Sequence, residues 1–545
     1  MFPTLTLPGD WEAILDGSAR SELENVVLPN YLRQQRWFGG KGRQIDSVCL
    51  VDWGEWSAGA TRVFPVLLEV SFLDGKSDLY FLPLGVTIGT PTGDLLPFGS
   101  PWAIAHLTGP QGSALLHDAL ADAETCASLL SAIGMGREQP MRRGRIRSLP
   151  TEAYASLRGD ASQPLAVSHG AATSSNTLIR FGERLLLKVF RHLDWGIHPD
   201  AEIGRFLTEN HRFDRIPTMA GALEYHRSGF QPITLAILQS FVINRGDGWN
   251  HALQELSHYY RRASAQPFLE PERRGLLELA AASPSPRVLE ALGEYPHSAA
   301  VLGRRTAQMH RALSADGDNP DFAPEPFTPR DAGAVRQSLR EQASGALASL
   351  RNNLDRLPSD VISSARHLLE NGIELARRVE LGVSDQMASI KIRCHGDYHL
   401  GQVLRVDNDY FLLDFEGEPA RTLAERRAKQ LPLKDVAGMV RSFHYAAYAG
   451  LFAFTENRAD AFAHLLPWAE LWYQWAAAAF LRAYRKDAED EPFWPNDGET
   501  VARLLDAFLL DKAFYELNYE WNNRPEWVRI PLRGILALME KGSTL

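Results

Sequence analysis

Cysteine is nearly missing from this sequence: Cys49, Cys126 and Cys394 are the three in 545 residues, and they stand far apart. An odd, scattered set provides no disulfide framework and no zinc-ligand spacing, and it fits a reducing cytoplasm. Long apolar runs are missing too. The stretch Leu471–Leu481 is short and bounded by Glu470 and Arg482, so no membrane span and no membrane partner are expected. The first residues, MFPTLTLPGDWEAIL, lack the basic segment followed by an apolar one that marks a secretion signal. Positive charge is in deficit, with 57 Lys and Arg against 67 Asp and Glu, a net charge of −10. Without a basic field to gather phosphate backbones, nucleic acid is not an expected partner. A nucleotide site needs only local positive charge, which this balance permits.

What is present reads as a globular chain, 45% hydrophobic and 23% charged. The first half is strand-rich. Short helices over Trp11–Arg20 and Ser21–Leu28, stopped by Pro29, lead into strand-like runs Val63–Phe72 and Leu79–Leu84 around the turn pair Asp74-Gly75. A helix is expected over Ala114–Ala132, strands around Leu178–Arg180 and Arg184–Phe190, a helix over Pro199–Asn210 and a strand over Leu235–Val242. From about residue 246 the periodicity turns helical, as in Ala299–Leu313, Val335–Leu354, Val361–Val379, Ala461–Tyr484 and Thr500–Asn522. Asp318–Pro329 reads as an ordered loop, and Pro267–Pro296 as a surface excursion between helices. Strands first and helices after predict a two-lobed α+β enzyme, divided as 1–105, 106–243 and 244–545.

The segment with the most chemistry is IRCHGDYHLGQVL followed by YFLLDFEGEP. Val403–Val406 and Tyr410–Leu413 read as a hairpin turning at Asp407-Asn408-Asp409, which returns Asp414 to Gln402 and Asp397. Phosphoryl transfer needs a carboxylate to take the proton of the incoming hydroxyl, oxygen ligands for Mg²⁺ and positive charge on the phosphates. Protein kinases meet these needs with a catalytic Asp, a metal-binding amide five residues on and a second metal-binding Asp after a hairpin. Asp397, Gln402 and Asp414 occupy those places, with Gln where Asn is usual. Glu416 stands where the glycine of DFG would be and is expected to join the metal or its waters. The alternative is that HGD and DFE are ordinary turn residues at strand ends. Upstream, GERLLLKVF puts Lys188 on an apolar strand as a phosphate-binding lysine, with Glu202 in the first turn of the next helix as its partner. The plainer reading of Lys188 is a solubilising lysine at a sheet edge. No glycine-rich phosphate loop is present. A polar turn of Ser174, Ser175, Asn176 and Thr177 is expected to offer N–H groups and hydroxyls to the triphosphate of ATP. ILQSFVINRGDGW reads as a hinge, where Gln239, Phe241 and Val242 present backbone groups to adenine.

At these residues the chain resembles the bacterial maltokinases, including the maltokinase part of trehalose synthase–maltokinase fusions, within the eukaryotic-kinase-like superfamily. YLRQQRWFGGKGR, SSNT, HPDAEIGRFL, LGRRTAQMHRAL, FAPEPFTPRD, HGDYHLGQVL, LDFEGEP, ERRAKQLPLKDVAGMVRSFHYAA and LDKAFYELNYEWNNRPEW follow in the family's order. The resemblance implies a bilobal protein-kinase-like fold with a cystatin-like N-terminal cap, an intermediate subdomain completing the N-lobe and a helical C-lobe. It implies that ATP and maltose give maltose 1-phosphate with Mg²⁺, feeding α-glucan (glycogen-type) synthesis from trehalose. Asp397 would be the base, Gln402 and Asp414 the metal ligands, and His395 would shape the loop or touch sugar. LDKAFYELNYE resembles the family's sugar-binding helix, and Lys512, Tyr515, Glu516 and Tyr519 at i, i+3, i+4 and i+7 share one face. The plainer reading makes Tyr515 and Tyr519 core aromatics. The family usually carries Gln where Ser174 stands here. Trp37, Phe38, Gly39 and Lys41 match a cap signature that is either a structural staple or an element approaching the active site.

Two other readings stay open. One is phosphorylation of another small sugar such as glucosamine, which would want an extra carboxylate at the acceptor site. The other is a silent, kinase-like partner of trehalose synthase. With 545 residues leaving no room for a full synthase, such a partnership joins separate chains, or this is an excised part of a fusion.

Overall fold

The computed structural model describes residues 2–58, 61–88, 100–170, 175–209, 213–267, 270–357 and 361–541. The chain divides into two compact units, Met1–Ile243 and Asn244–Leu545. The expected architecture is there: a strand-rich unit precedes a helical one.

Among its described residues the first unit holds three sheets. Proline decides how two of them separate. The run expected as one strand over Val63–Phe72 breaks at Pro65, which has no N–H to give a ladder. Thr61–Phe64 joins a six-stranded sheet, and Val66–Phe72 a four-stranded one. Leu79–Leu84 is divided in the same way by Pro83, into Ser77–Phe81 and Leu84–Ile88. The Asp74-Gly75 turn is as expected: Gly75 has φ +78°, and Phe72 N–H donates to Lys76 O at 2.9 Å. The helix expected over Ala114–Ala132 is instead a strand, Gly112–Asp118, followed by a helix, Ala123–Met135. Asp122 caps that helix by accepting from Thr125 N–H at 2.9 Å, so the helix starts where its cap residue stands. Near the N-terminus the chain winds on through Pro29 to Gln34, because proline is tolerated in a first helical turn.

The third sheet has seven antiparallel strands, with Leu185–Phe190 between Asn176–Phe181 and Ile233–Ser240. Arg191, fully buried, follows its middle strand. It donates to Asp118 at 2.6 Å, to Thr177 Oγ1 at 2.8 Å and to Phe81 O, and stands 4.9 Å from the Trp37 ring. Phe38 packs on Phe72 and Tyr80, and a Cβ on Gly40 would fall 2.6 Å from the Phe72 ring. Arg43 of the same motif clamps Asp74 with two bonds of 2.9 Å. Trp37 and Phe38 are therefore staples of this unit's core.

The second unit is built on long helices, including Tyr295–Leu313, Pro329–Asn352, Ile362–Gly382, Leu433–Thr455, Ala459–Ala488 and Gly498–Asn523. Each expected helix appears, with its ends moved by at most six residues. The segment expected as a surface excursion carries two short helices, Leu276–Ala281 and Pro286–Leu292, with Leu279 and Leu292 buried. Arg482 ties it down by donating to Ala280 O at 2.8 Å. Among the described residues no helix is long and apolar enough to cross a membrane.

The Arg191–Asp118 pair yields a stability prediction. Arg191→Leu leaves a carboxylate buried without its cation and lowers unfolding free energy by about 3–5 kcal/mol. Adding Asp118→Leu recovers part of that loss. Urea denaturation of the single and double variants measures both.

Candidate functional site

The second unit assembles its candidate site from two loops held against one helix. On the helix Leu433–Thr455, Asp435 is 2% exposed and accepts from the N–H groups of His395 at 2.8 Å and Gly396 at 2.9 Å. His310 Nε2 lies 3.1 Å from the same carboxylate, while its Nδ1 is 2.9 Å from Tyr484 OH. Burial pushes the Asp435 carboxyl up, but the bond from His310 and the backbone N–H of Gly396 outweigh it, so its pKa lies below the usual value. This anchor fixes the turn that precedes Asp397.

The second loop is delivered by the hairpin. Val403–Val406 pairs with Asp409–Leu412, and Leu413 N–H donates to Gln402 O at 2.9 Å. The turn is one residue tighter than expected, with Asp407 in the left-handed region at φ +52°. Asp414 has φ +56°, which re-aims the chain as it leaves the strand. The two loops then touch at glycines: a Cβ on Gly396 would lie 3.0 Å from Gly417 Cα. The hairpin thus brings Gln402 and Asp414 together, and a carboxylate oxygen of Asp414 lies within 4.8 Å of one of Glu416. An amide oxygen and two carboxylates are hard ligands suited to Mg²⁺.

His395 is 1% exposed, and its Nε2 lies 2.7 Å from Leu413 O. Its ring packs on Phe415 and Tyr398. Of the two roles expected for it, burial leaves shaping the loop and rules out a sugar contact.

Around Asp397 the charges alternate. Lys512 Nζ donates to Asp397 Oδ1 at 3.2 Å and to Glu418 Oε1 at 3.1 Å, and Arg421 meets Glu418 at 2.5 Å. Burial works against the Lys512 ammonium, but Asp397 and then Glu418 outweigh it and raise its pKa. Burial likewise pushes the Glu418 carboxyl up, while Lys512, Lys434 and Arg421 together hold it at about 2. These groups line a narrow pocket with Tyr398, Asp511 and Tyr515. Glu418, Arg421 and Lys434 were missed in the sequence, although Glu418 sits inside the LDFEGEP motif and Lys434 inside LPLKDVAG.

The helix Gly498–Asn523 turns Ala513, Phe514 and Leu517 into the core and its Lys512 face away from it. Tyr515 is half-buried and Tyr519 is 46% exposed, so neither is a core aromatic. Their rings stack at 6.4 Å, with Lys512 Nζ 4.8 Å from the Tyr515 centroid. Glu516 differs from the expectation of a sugar contact in being held by Arg441 at 2.5 Å.

In the first unit, Lys188 is 4% exposed, in the middle of the seven-stranded sheet and not at its edge. Its Nζ donates to Asp200 Oδ2 at 2.9 Å. Asp200 and Glu202 share the first turn of the helix Pro199–Glu209, and the sequence reading chose only Glu202. Of the expected polar turn, Ser174 lies outside the described residues and Ser175 is exposed. Asn176 and Thr177 begin a strand and are buried, and the Thr177 hydroxyl is held by Arg191. In the expected hinge, Gln239 sits inside the ladder opposite Leu186 and Met219, and Phe241 N–H is taken by Arg184 O at 2.8 Å. Phe241 stacks under the Arg180 guanidinium at 4.1 Å, and Val242 follows outside the sheet.

Residues 31–122 match the maltokinase N-terminal cap domain. A glucosamine kinase of Streptacidiphilus jiangxiensis is 28% identical over 326 residues, 58% of this chain and 60% of that protein's own length. A glucosamine kinase of Mycolicibacterium smegmatis is 23% identical over 394 residues, 72% of this chain and 83% of that protein. The solved structure of a glucosamine kinase in complex with glucosamine, ADP and inorganic phosphate is similar in fold, with a TM-score of 0.58 at 20% identity. It covers 90% of this chain and 94% of that one.

The low pKa of Glu418 sets a pH window. A carboxyl depressed from 4.5 to about 2 stabilises the fold fully above the higher value and loses that contribution as pH falls toward the lower. Glu418→Gln therefore destabilises the chain by about 3 kcal/mol at neutral pH. The gap to wild type narrows below pH 4.5 and closes near 2. Urea unfolding across that range tests it, and a gap independent of pH contradicts the assignment.

Proposed function

As a kinase-like protein of the maltokinase family, the chain is, we propose, an ATP-dependent kinase that phosphorylates the anomeric hydroxyl of maltose. The observation that carries this reading is the meeting of Asp397 with Lys512, on a loop tied through His395 to Leu413, between Gln402 and Asp414. Asp397 accepts the proton of the anomeric hydroxyl as the sugar oxygen attacks the γ-phosphorus. The bond from that phosphorus to the β-bridging oxygen breaks, ADP leaves, and maltose 1-phosphate remains. Lys512 holds the base in one orientation. Mg²⁺, when bound, would supply charge neutralisation to the phosphates, and Gln402, Asp414 and Glu416 are the residues to hold it. In the first unit, Lys188 oriented by Asp200 is the cation this reading assigns to the triphosphate. The remaining groups it assigns to the nucleotide are the backbone near Ser175 and the segment Gln239–Val242.

Two features favour a neutral acceptor. The pocket beside Asp397 holds three cations, Lys512, Arg421 and Lys434, which repel a cationic sugar. The stacked Tyr515 and Tyr519 add an exposed aromatic surface on the same helix face, which suits the C–H faces of a disaccharide. In this reading trehalose synthase provides the maltose, and the product serves cytoplasmic α-glucan synthesis. The relatives named as glucosamine kinases favour a second reading, with glucosamine as acceptor.

Incubation with ATP, Mg²⁺ and, separately, maltose, glucose, glucosamine and trehalose separates the two, with ADP release and phosphorus NMR as readouts. Anomeric phosphorylation of maltose is expected, and turnover with glucosamine alone overturns the proposal. Asp397→Asn is expected to lower kcat by about 10²–10⁴-fold, the usual worth of a positioned base, with ATP binding nearly unchanged. Wild-type rates in that variant remove Asp397 from the role of base.

A further inference from the structure

A second cavity of the second unit adjoins the pocket beside Asp397. Its volume is about 200 Å³, equal to roughly seven waters at ~30 Å³ each, which is the scale of a single sugar ring. The helices Pro329–Asn352 and Gly498–Asn523 supply two of its sides, and the segment before the helix Leu433–Thr455 a third. One part of the lining is apolar, with Phe327, Leu339, Leu431 and Phe508. The polar part includes four cations, and three of them are engaged. Lys391 meets Asp331 at 2.9 Å, Lys429 meets Glu325 at 2.8 Å and Arg421 meets Glu418 at 2.5 Å.

Lys434 is the exception. Among the described residues its ammonium has no hydrogen-bond partner. Burial pulls its pKa below the ordinary lysine value, and the negative field of Glu418 only partly offsets that. A charged amine partly withdrawn from water without a partner is costly, and an anionic oxygen relieves it. The carboxyls in the lining do not supply one. Asp331 is neutralised by Lys391, while Asp511 accepts from Ser338 Oγ at 3.1 Å and is pushed by burial toward its neutral form.

We propose that this cavity is a second ligand site, distinct from the acceptor pocket, which takes a monosaccharide-sized anion of the sugar-phosphate class. Its acidic group lies on Lys434 and its ring against Phe327 and Phe508. This inference goes beyond the kinase reading and does not require it. Arg421, Lys434, Phe508 and Asp511 line both this cavity and the pocket beside Asp397, so a ligand here changes the charges that the acceptor meets.

Isothermal titration of the full chain with glucose 6-phosphate tests the site, with glucose and inorganic phosphate as separate probes for the two halves of the ligand. Glucose 6-phosphate is expected to bind at least about tenfold more tightly than either half. Lys434→Met is expected to weaken it about tenfold, with Lys434→Arg restoring it. Val335→Trp fills the cavity from a partly exposed helix position and abolishes binding, and circular dichroism confirms that each variant is folded. Saturating maltose leaves the binding in place. The proposal is overturned if glucose 6-phosphate does not bind, if inorganic phosphate binds as well, if maltose displaces it, or if Lys434→Met and Val335→Trp leave it unchanged.

Discussion

The carboxylate of Asp435 is removed from water and given three partners in exchange: two backbone N–H groups and a histidine nitrogen. Taking a charge into a protein interior is tolerable only with such compensation, and removing a partner is far more costly than never burying the pair. The backbone at His395 and Gly396 therefore has little freedom. Because Asp397 follows directly, its direction is inherited from a residue about forty positions later in the chain. His395 extends the constraint by reaching Leu413 O, immediately before Asp414. One buried anion thus disciplines both loops of the site, and the glycines at 396 and 417 allow those loops to meet.

On that frame the electrostatics follow a second rule. Asp397, Lys512, Glu418 and Arg421 form a chain of alternating charges, each partly shielded and each holding the next. Such a series gives Asp397 one orientation, which is what the proposed role of proton acceptor in phosphoryl transfer needs. Within the same series Lys512 and Arg421 are matched to anions.

The hairpin and the grouping of Asp397, Gln402 and Asp414 were legible because they depend on local spacing: two short strands and a turn leave few alternatives. Lys188 on its strand was legible for the same reason. What escaped depends on distant residues. Asp200 and Glu202 fall in one helical turn, and spacing alone does not choose between them. Glu418 and Lys434 look like ordinary charges beside a turn and a helix start until the helix Gly498–Asn523 brings Lys512 to them. The strand at Gly112–Asp118 carries the apolar residues of a helix, and its sheet neighbours override that signal. His395 looked available to touch sugar because burial cannot be read from a tripeptide. The division of Val63–Phe72 was visible in Pro65, which the sequence reading passed over.

The central claim is that the loop anchored by Asp435 aims Asp397 at the acceptor, opposite an oxygen set for the metal. A crystal structure of the chain with maltose, Mg²⁺ and a non-hydrolysable ATP analogue tests it most directly. The account predicts the anomeric oxygen of maltose in hydrogen-bonding contact with Asp397, and the metal on Gln402 and Asp414. An acceptor bound with another hydroxyl at Asp397, or a metal held by neither residue, would contradict it.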